Sequence, residues 1–475
     1  MKKRTIICTA ALLGIAALAG CGKKAVEQGA EVKLSGDGIY PVSCEDTLTY
    51  WMPLDTRLEG AVTSFGETPL AKELEKRTGI KIEYVHPQAG QGGEQFNIML
   101  ASNELPDIVT YNWAGYAGGA DQAIDEQYIY KLNDIFEKYA PALTKYLKEH
   151  PEVNKKIKTD NGNYFAFPYV RSEDWMTNSQ GIIMRKDWLD KLGLKEPKTL
   201  DEFETVLRGF KTLGAKAPMV LSTGHLQIML YAYGTAPDFY VDNGTVKYGY
   251  ATEEYKKALE KTAQWYKEGL IDQNLVSADP KYIQSRMLNG DAGAYFGFVV
   301  SGLGTVLDAK PNESFDLTAV RQPTVDGSRP EYSYKEDNVV PAAYTAISQN
   351  CKNPELAIRW LDYINEPENN IQMLYGMFKP AGWSASEALV PSETEEDKWT
   401  DNTALRPADV QLNDWPWSAP IGSSPVISTK EIINQYIATR ANNVYKEETC
   451  AVYRDDLTKY PYNFPYRFTL DEIEE

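Results

Sequence analysis

Residues 105–113 read LPDIVTYNW: a β-branched pair, Ile108 and Val109, runs into Tyr111, Asn112 and Trp113, and AGYAGG follows. A neutral amide both donates and accepts hydrogen bonds, and an indole offers a flat apolar face with a single donor. Together at the mouth of a strand, Asn112 and Trp113 suit a ligand with polar groups on its rim and apolar faces. The alternative is an indole that closes over its own sheet. The same chemistry recurs along the chain. Trp51 ends the first predicted strand, where a site and a core role fit equally. Trp175 stands in the polar loop RSEDWMTN beside Asp174, a carboxylate that accepts hydroxyl protons or stays solvated. Trp383 lies in the loop-like PAGW, and Trp415 and Trp417 straddle Pro416, which extends the backbone, with Asp414 adjacent. By contrast Trp188, Trp265 and Trp360 recur at helical spacing with other apolar residues and read as core.

Catalytic constellations are not evident. The three histidines, His86, His150 and His225, are scattered and share no helical face, so no metal site is expected. There is no Gly-x-Ser-x-Gly elbow, and the glycines of GDAGAYFGFVVSGLG form no phosphate loop. Carboxylates are abundant, yet none stands alone in an apolar setting, and neither an enzyme nor a cofactor is expected. Cys44, Cys351 and Cys450 are an odd, widely spaced set with no Cys-x-x-Cys, which is neither a disulfide framework nor a zinc site.

The N-terminus carries its own chemistry. MKKR is a basic stretch, TIICTAALLGIAALAG is an apolar run short for a membrane span, and LAGC ends it at Cys21. This resembles the lipobox of bacterial lipoproteins, which implies a signal peptide over 1–20 and lipid on the Cys21 sulfur. The polar residues 21–46 read as a flexible tether. Losing residues 1–20 removes three of the 49 basic side chains and none of the 67 acids, so the charge moves from −18 to −21. Such a chain disfavours nucleic acid, anionic lipid and phosphorylated ligands, and favours a neutral one.

The elements that would hold these residues alternate. At 475 residues two domains are expected. TLTYWM and KIEYV read as strands around a helix ending on Gly79, EQFNIMLASNEL as a helix, and DIVTYNW as the next strand. GNYFAFPYV and GIIMR continue the strands, and KTLDEFETVLRGF opens on a capping box, Thr199 and Glu202. Strand–helix–strand spacing of this kind gives a mostly parallel α/β sheet, with ligands outside the carboxyl ends of its strands.

Five stretches in consistent order behind the lipobox, LPDIVTYNW, GIIMRKDWLDKLGLKEPKTLDEF, KEGLIDQN, GDAGAYFG and ISQNCKNPELAIRWLDYI, are similar to the extracellular solute-binding proteins of ATP-driven sugar importers, the group that includes the maltose-binding proteins. The resemblance implies an α/β, two-lobed, type II periplasmic-binding-protein-like fold, with the ligand in an inter-lobe cleft and a membrane permease as partner. It places lobe I at 47–167 plus 299–345 and lobe II at 168–298 plus 346–475. Crossings follow near Pro168–Asn178, Tyr295–Phe298 and Thr345–Asn350. Phe296 matches a position where this family places cleft residues, and Tyr231 and Tyr233 fall on the second lobe. The expected ligand is a neutral carbohydrate, an oligosaccharide given the number of rings, bound by a monomer. A micromolar Kd needs about −8 kcal/mol, and at about 1 kcal/mol per net hydrogen bond the stacked faces must contribute. A peptide or amino acid held by Arg171, Arg185 or Asp174, and a surface glycan-binding lipoprotein without a permease, remain alternatives.

Overall fold

In the computed structural model the described residues are 28–366 apart from 36–38, 55–61, 89, 173–176, 179, 243, 334–336 and 341–342, together with 369, 389–391, 399–401, 425–428 and 452–453. Cys21, the apolar N-terminal run and Cys450 lie outside them.

Two four-stranded sheets organise the described residues, each with its own core; apart from them stand the short strand β4, Val170–Arg171, and the antiparallel pair β7, Phe239–Asp242, and β8, Thr245–Tyr248. The first has the order β11-β3-β1-β2, with β1 Thr47–Trp51, β2 Lys81–Val85, β3 Ile108–Tyr111 and β11 Tyr344–Ile347. β1 pairs parallel with β2 and β3, and β11 closes the edge antiparallel to β3. The second has the order β10-β5-β9-β6, with β5 Gln180–Arg185, β6 Met219–Val220, β9 Ala294–Phe298 and β10 Leu317–Val320. Here only β6 and β9 run parallel, while β5 is antiparallel to both its neighbours. The expectation of mostly parallel sheets thus holds for the first lobe alone.

Local sequence accounts for the elements. Thr68 caps helix Pro69–Thr78, which stops on Gly79 at φ 71°. The expected box caps helix Leu200–Thr212, Thr199 taking the Glu202 amide while the Glu202 carboxylate takes the Thr199 amide. Helix Pro141–Glu149 has no side-chain cap of its own. Asp362 supplies one from helix Pro354–Asn365, accepting from the Ala142 and Leu143 amides at 3.0 and 2.9 Å.

The lobe boundaries differ from those expected. Residues 317–320 belong to the second sheet rather than lobe I, because Leu317–Val320 pairs with Arg185–Ile182. Residues 346–365 belong to the first, where Ala346 and Ile347 lie in the sheet and Leu356, Trp360 and Leu361 fill its core. The crossing expected at Tyr295–Phe298 is instead the middle of the second sheet, and that expected at Thr345–Asn350 is the edge of the first. The first passage runs between Val170, in the first core, and Gln180, which opens the second sheet. The return runs between Tyr332, packed with Tyr231 and Tyr240, and Val339 of the first core. A third passage lies between Ile427, in the first core, and Tyr453, which donates to the Ile182 carbonyl at 3.0 Å. Among the described residues the first passage is hydrogen-bonded to the other two named here: the Arg171 amide donates to Asn338 O at 2.7 Å and the Ser172 amide to Ser428 O at 3.0 Å.

Residues 28–46 are not a free tether where described. Val32, Tyr40, Val42 and Cys44 pack on the first core, and Tyr40 Oη donates to the Arg359 carbonyl at 2.5 Å.

Candidate functional site

The strand directions single out one edge of each sheet. β1, β2 and β3 end at Trp51, Val85 and Tyr111, and antiparallel β11 begins at Tyr344 directly opposite Tyr111. In the second sheet β9 ends at Phe298, opposite Gln180 at the start of β5, and β10 leaves at Val320. The passages enter or leave on these edges, so both sheets present them to the junction. Ligands in such sheets sit beyond the carboxyl ends of the strands.

On the first lobe, Asn112 is exposed at the end of β3 and its Oδ1 accepts the Gly115 amide at 3.1 Å, which fixes the amide plane. Trp113 does not share that exposure. It is 0% exposed, its Nε1 donates to Val109 O at 3.1 Å, and Phe96 meets its ring edge-on at 5.1 Å. The indole closes over its own sheet, the alternative reading of the sequence. Trp51 is also core, at 2% exposure, tilted against Phe96 and Tyr111. The physical reason is the same in both cases: a parallel sheet covered on both faces buries large side chains right up to its strand ends. What reaches the edge instead is Tyr111, half-buried, stacked on Phe96 at 3.7 Å. His86, after β2, ties strand ends together, with Nδ1 at 2.9 Å from Met52 O and Nε2 accepting the Phe65 amide at 3.0 Å. Those partners place its proton on Nδ1, and burial pushes its pKa down, which keeps the ring neutral.

On the second lobe, Phe296 is 1% exposed and packed in the core, 5.0 Å from the His225 ring. Phe298, on the same face two residues on, is 41% exposed. The expected aromatic is thus displaced by one pleat repeat, because the strand runs past its core before it ends. A six-residue π-helical turn, Val299–Gly304, follows. At the end of β6, Ser222 Oγ lies 3.1 Å from His225 Nδ1, and burial lowers the His225 pKa. Arg171 lies half-buried at the junction, its guanidinium 5.7 Å from the Tyr169 ring centre. Arg185 is remote from the edge, held by Asp187 and sandwiched between Trp188 and Phe315. Tyr231 is fully buried and Tyr233 half-buried.

Asp174, Trp175, Trp383, Asp414, Trp415 and Trp417 lie outside the described residues. Sequence reasoning passed over Tyr111, Phe298 and His225. Phe298 was signalled by its place as the last aromatic before the glycine turn; His225 was weighed only as a metal ligand. Among the described residues no group of His, Cys, Asp and Glu is arranged to hold a metal ion, and no helix is long and apolar enough to cross a membrane.

An edge of this kind offers amide, hydroxyl and aromatic surfaces with neutral imidazoles. Comparison with known proteins agrees in kind. The fructooligosaccharide ABC transporter substrate-binding protein FusA of Streptococcus pneumoniae is 26% identical over 402 residues, spanning 80% of this chain and 72% of FusA. The polygalacturonan/rhamnogalacturonan-binding protein YtcQ of Bacillus subtilis is 26% identical over 330 residues, 67% of this chain and 61% of YtcQ. In structure, FusA in complex with kestose superposes with a TM-score of 0.69 at 19% identity, covering 87% of this chain and 85% of that one. The alginate-binding protein AlgQ2 without calcium ion gives 0.68 at 26% identity, covering 85% and 83%. The fold is the type II periplasmic-binding-protein-like one. The family model for bacterial extracellular solute-binding proteins matches residues 64–371, and the chain belongs to that family.

Proposed function

We propose that this protein is a lipid-anchored, extracytoplasmic, non-catalytic receptor that captures a neutral oligosaccharide at the junction of its lobes and delivers it to an ABC permease. The observation that carries the reading is the pairing of sheet edges: an oriented amide at Asn112 with Tyr111 on one lobe, and an exposed ring at Phe298 on the other. A sugar needs both surfaces, a flat apolar one for its C–H face and a polar one that donates and accepts. The likeness to proteins that bind fructooligosaccharide and polygalacturonan over most of this chain supports the class of ligand. Trp175, Trp383, Trp415 and Trp417, with Asp174 and Asp414, are proposed as further platforms and acceptors on the strength of the sequence alone. Lipidation at Cys21 is proposed from LAGC. A second reading, an oligosaccharide of uronic acids, has one specific point in its favour: the likeness to the polygalacturonan/rhamnogalacturonan-binding protein over 67% of this chain. Titration against matched neutral and uronic oligosaccharides decides between them. The neutral reading expects tighter binding of the uncharged series and little dependence on salt.

A further inference from the structure

We infer that the N-terminal segment Gly29–Leu34 is a clip that fastens the membrane tether to the first lobe, on the sheet edge opposite the ligand. This rests on the lipid anchor proposed above. Both backbone groups of Ala30 are taken: its amide donates to Asp46 Oδ2 at 2.6 Å and its carbonyl accepts from Asn353 Nδ2 at 2.9 Å. On either side, Gly29 N donates to Lys352 O at 2.8 Å, and Lys33 and Ser43 exchange backbone bonds at 3.0 and 2.8 Å. Gly29 leaves no room for a side chain, since a Cβ there would lie 2.7 Å from Asp46 Oδ2, 2.8 Å from Asn353 Cβ and 2.8 Å from Lys352 O. Asn353 is 6% exposed and does double service, because its Oδ1 also caps helix Pro354–Asn365 through the Leu356 amide at 3.2 Å. The dock is therefore built into the framework of the lobe.

Its position gives it a consequence. Asp46 immediately precedes β1, and Lys352 and Asn353 follow β11, so the dock lies at the start of β1 and the end of β11. Asn112 and Tyr344 mark the other edge of the same sheet. Every contact named here goes to the first lobe, so the second can move relative to the first without pulling on the anchor. The clip also sets the reach. From Cys21 to Gln28 the chain spans at most about 25 Å, whereas a tether free up to Val42 would span about 75 Å at full extension. The lobe is held near the membrane with its binding edge facing away from the point of attachment.

The test uses the full lipidated chain on vesicles of phosphatidylcholine and phosphatidylglycerol. Hydrogen exchange reads the clip, and neutron reflectometry on a supported bilayer of the same lipids reads the gap to the protein layer. The expected result is slow exchange across 29–34 and a gap within about 25 Å. Gly29→Leu, which cannot fit the dock, and Ala30→Pro, which lacks the donor to Asp46, should each speed that exchange at least about tenfold and widen the gap, with exchange elsewhere in the first lobe unchanged. Fast exchange across 29–34 in the wild type overturns the clip. Fast exchange across 29–34 with an unchanged gap in both variants overturns its control of reach. Failure of the wild type to stay with vesicles while 29–34 remains slow to exchange refutes the anchor instead, and with it the tethering role.

Discussion

Replacing Trp113 with alanine separates a packing role from a binding role. The ring is fully buried against Phe96, with Tyr116 6.5 Å away, and its Nε1 donates to Val109 O. Removing a buried tryptophan costs about 3–5 kcal/mol through lost transfer energy and the cavity left behind. The Val109 carbonyl bond adds about 1 kcal/mol. At about 2–4 °C per kcal/mol for a unit of this size, the melt should fall by roughly 10–20 °C. Trp113→Phe, which keeps most of the volume and loses the donor, should fall by only about a third as much. Measured well below the lowered midpoint, ligand affinity should stay within about threefold of wild type, under 1 kcal/mol. Differential scanning calorimetry and isothermal titration on the same samples give both numbers. A native melt with binding weakened tenfold or more would refute the reasoning and return the indole to the site.

Residues at the junction should behave in the opposite way. Asn112→Ala and Phe298→Ala should each weaken oligosaccharide binding by about tenfold, about 1.4 kcal/mol, while the melt moves little; unchanged affinity in both would remove the proposed edge. Two carboxylates, half-buried Glu204 and buried Asp362, should give pH dependences of opposite sign. Burial works against the charge on Glu204, but Lys261 at 2.6 Å, Trp265 Nε1 at 2.8 Å and Arg208 at 2.6 Å outweigh it and hold the pKa at about 2. A depressed pKa stabilises the fold above the unfolded carboxylate value, and that contribution is lost as pH falls from about 4 to 2. Glu204→Gln should melt lower at pH 7 and lose less on acidification; a parallel profile would contradict this. For Asp362, burial outweighs the two backbone amides and Arg359 and raises the pKa to about 6. A raised pKa stabilises below about 4 and the contribution is lost as pH rises through 6, so Asp362→Asn should flatten the melt between pH 4 and 7. An unaltered slope would show that the carboxyl is not desolvated as described.

Much of the framework was legible because it is local. The Thr199 and Glu202 box, Gly79 as a helix stop and the strands at 47–51, 81–85 and 108–111 follow from neighbours in sequence. Lobe membership after residue 299 was not legible. Whether Leu317–Val320 pairs with β5 or joins the first sheet depends on partners more than 130 residues away, and both outcomes leave the same alternating pattern. The site divides on the same line. That these strands would end on a common edge was readable; which side chain stays in the core and which reaches that edge was not. Trp113 and Phe296 stop in the core, while Asn112 and Phe298 reach the edge, and nothing in a one-residue or two-residue offset announces that difference. The tether was misread because Asp46, Asn353 and Lys352 meet Gly29 and Ala30 only in the folded lobe.

Isothermal titration of the chain from Gly22 onward tests the central claim most directly, against neutral oligosaccharides, their monosaccharides, uronic oligomers and short peptides. Micromolar or tighter binding of a neutral oligosaccharide is expected, with the matched monosaccharide at least about a hundredfold weaker for want of a second stacked ring, near 3 kcal/mol. Peptide binding, or monosaccharide binding as tight as that of the oligomer, would contradict it.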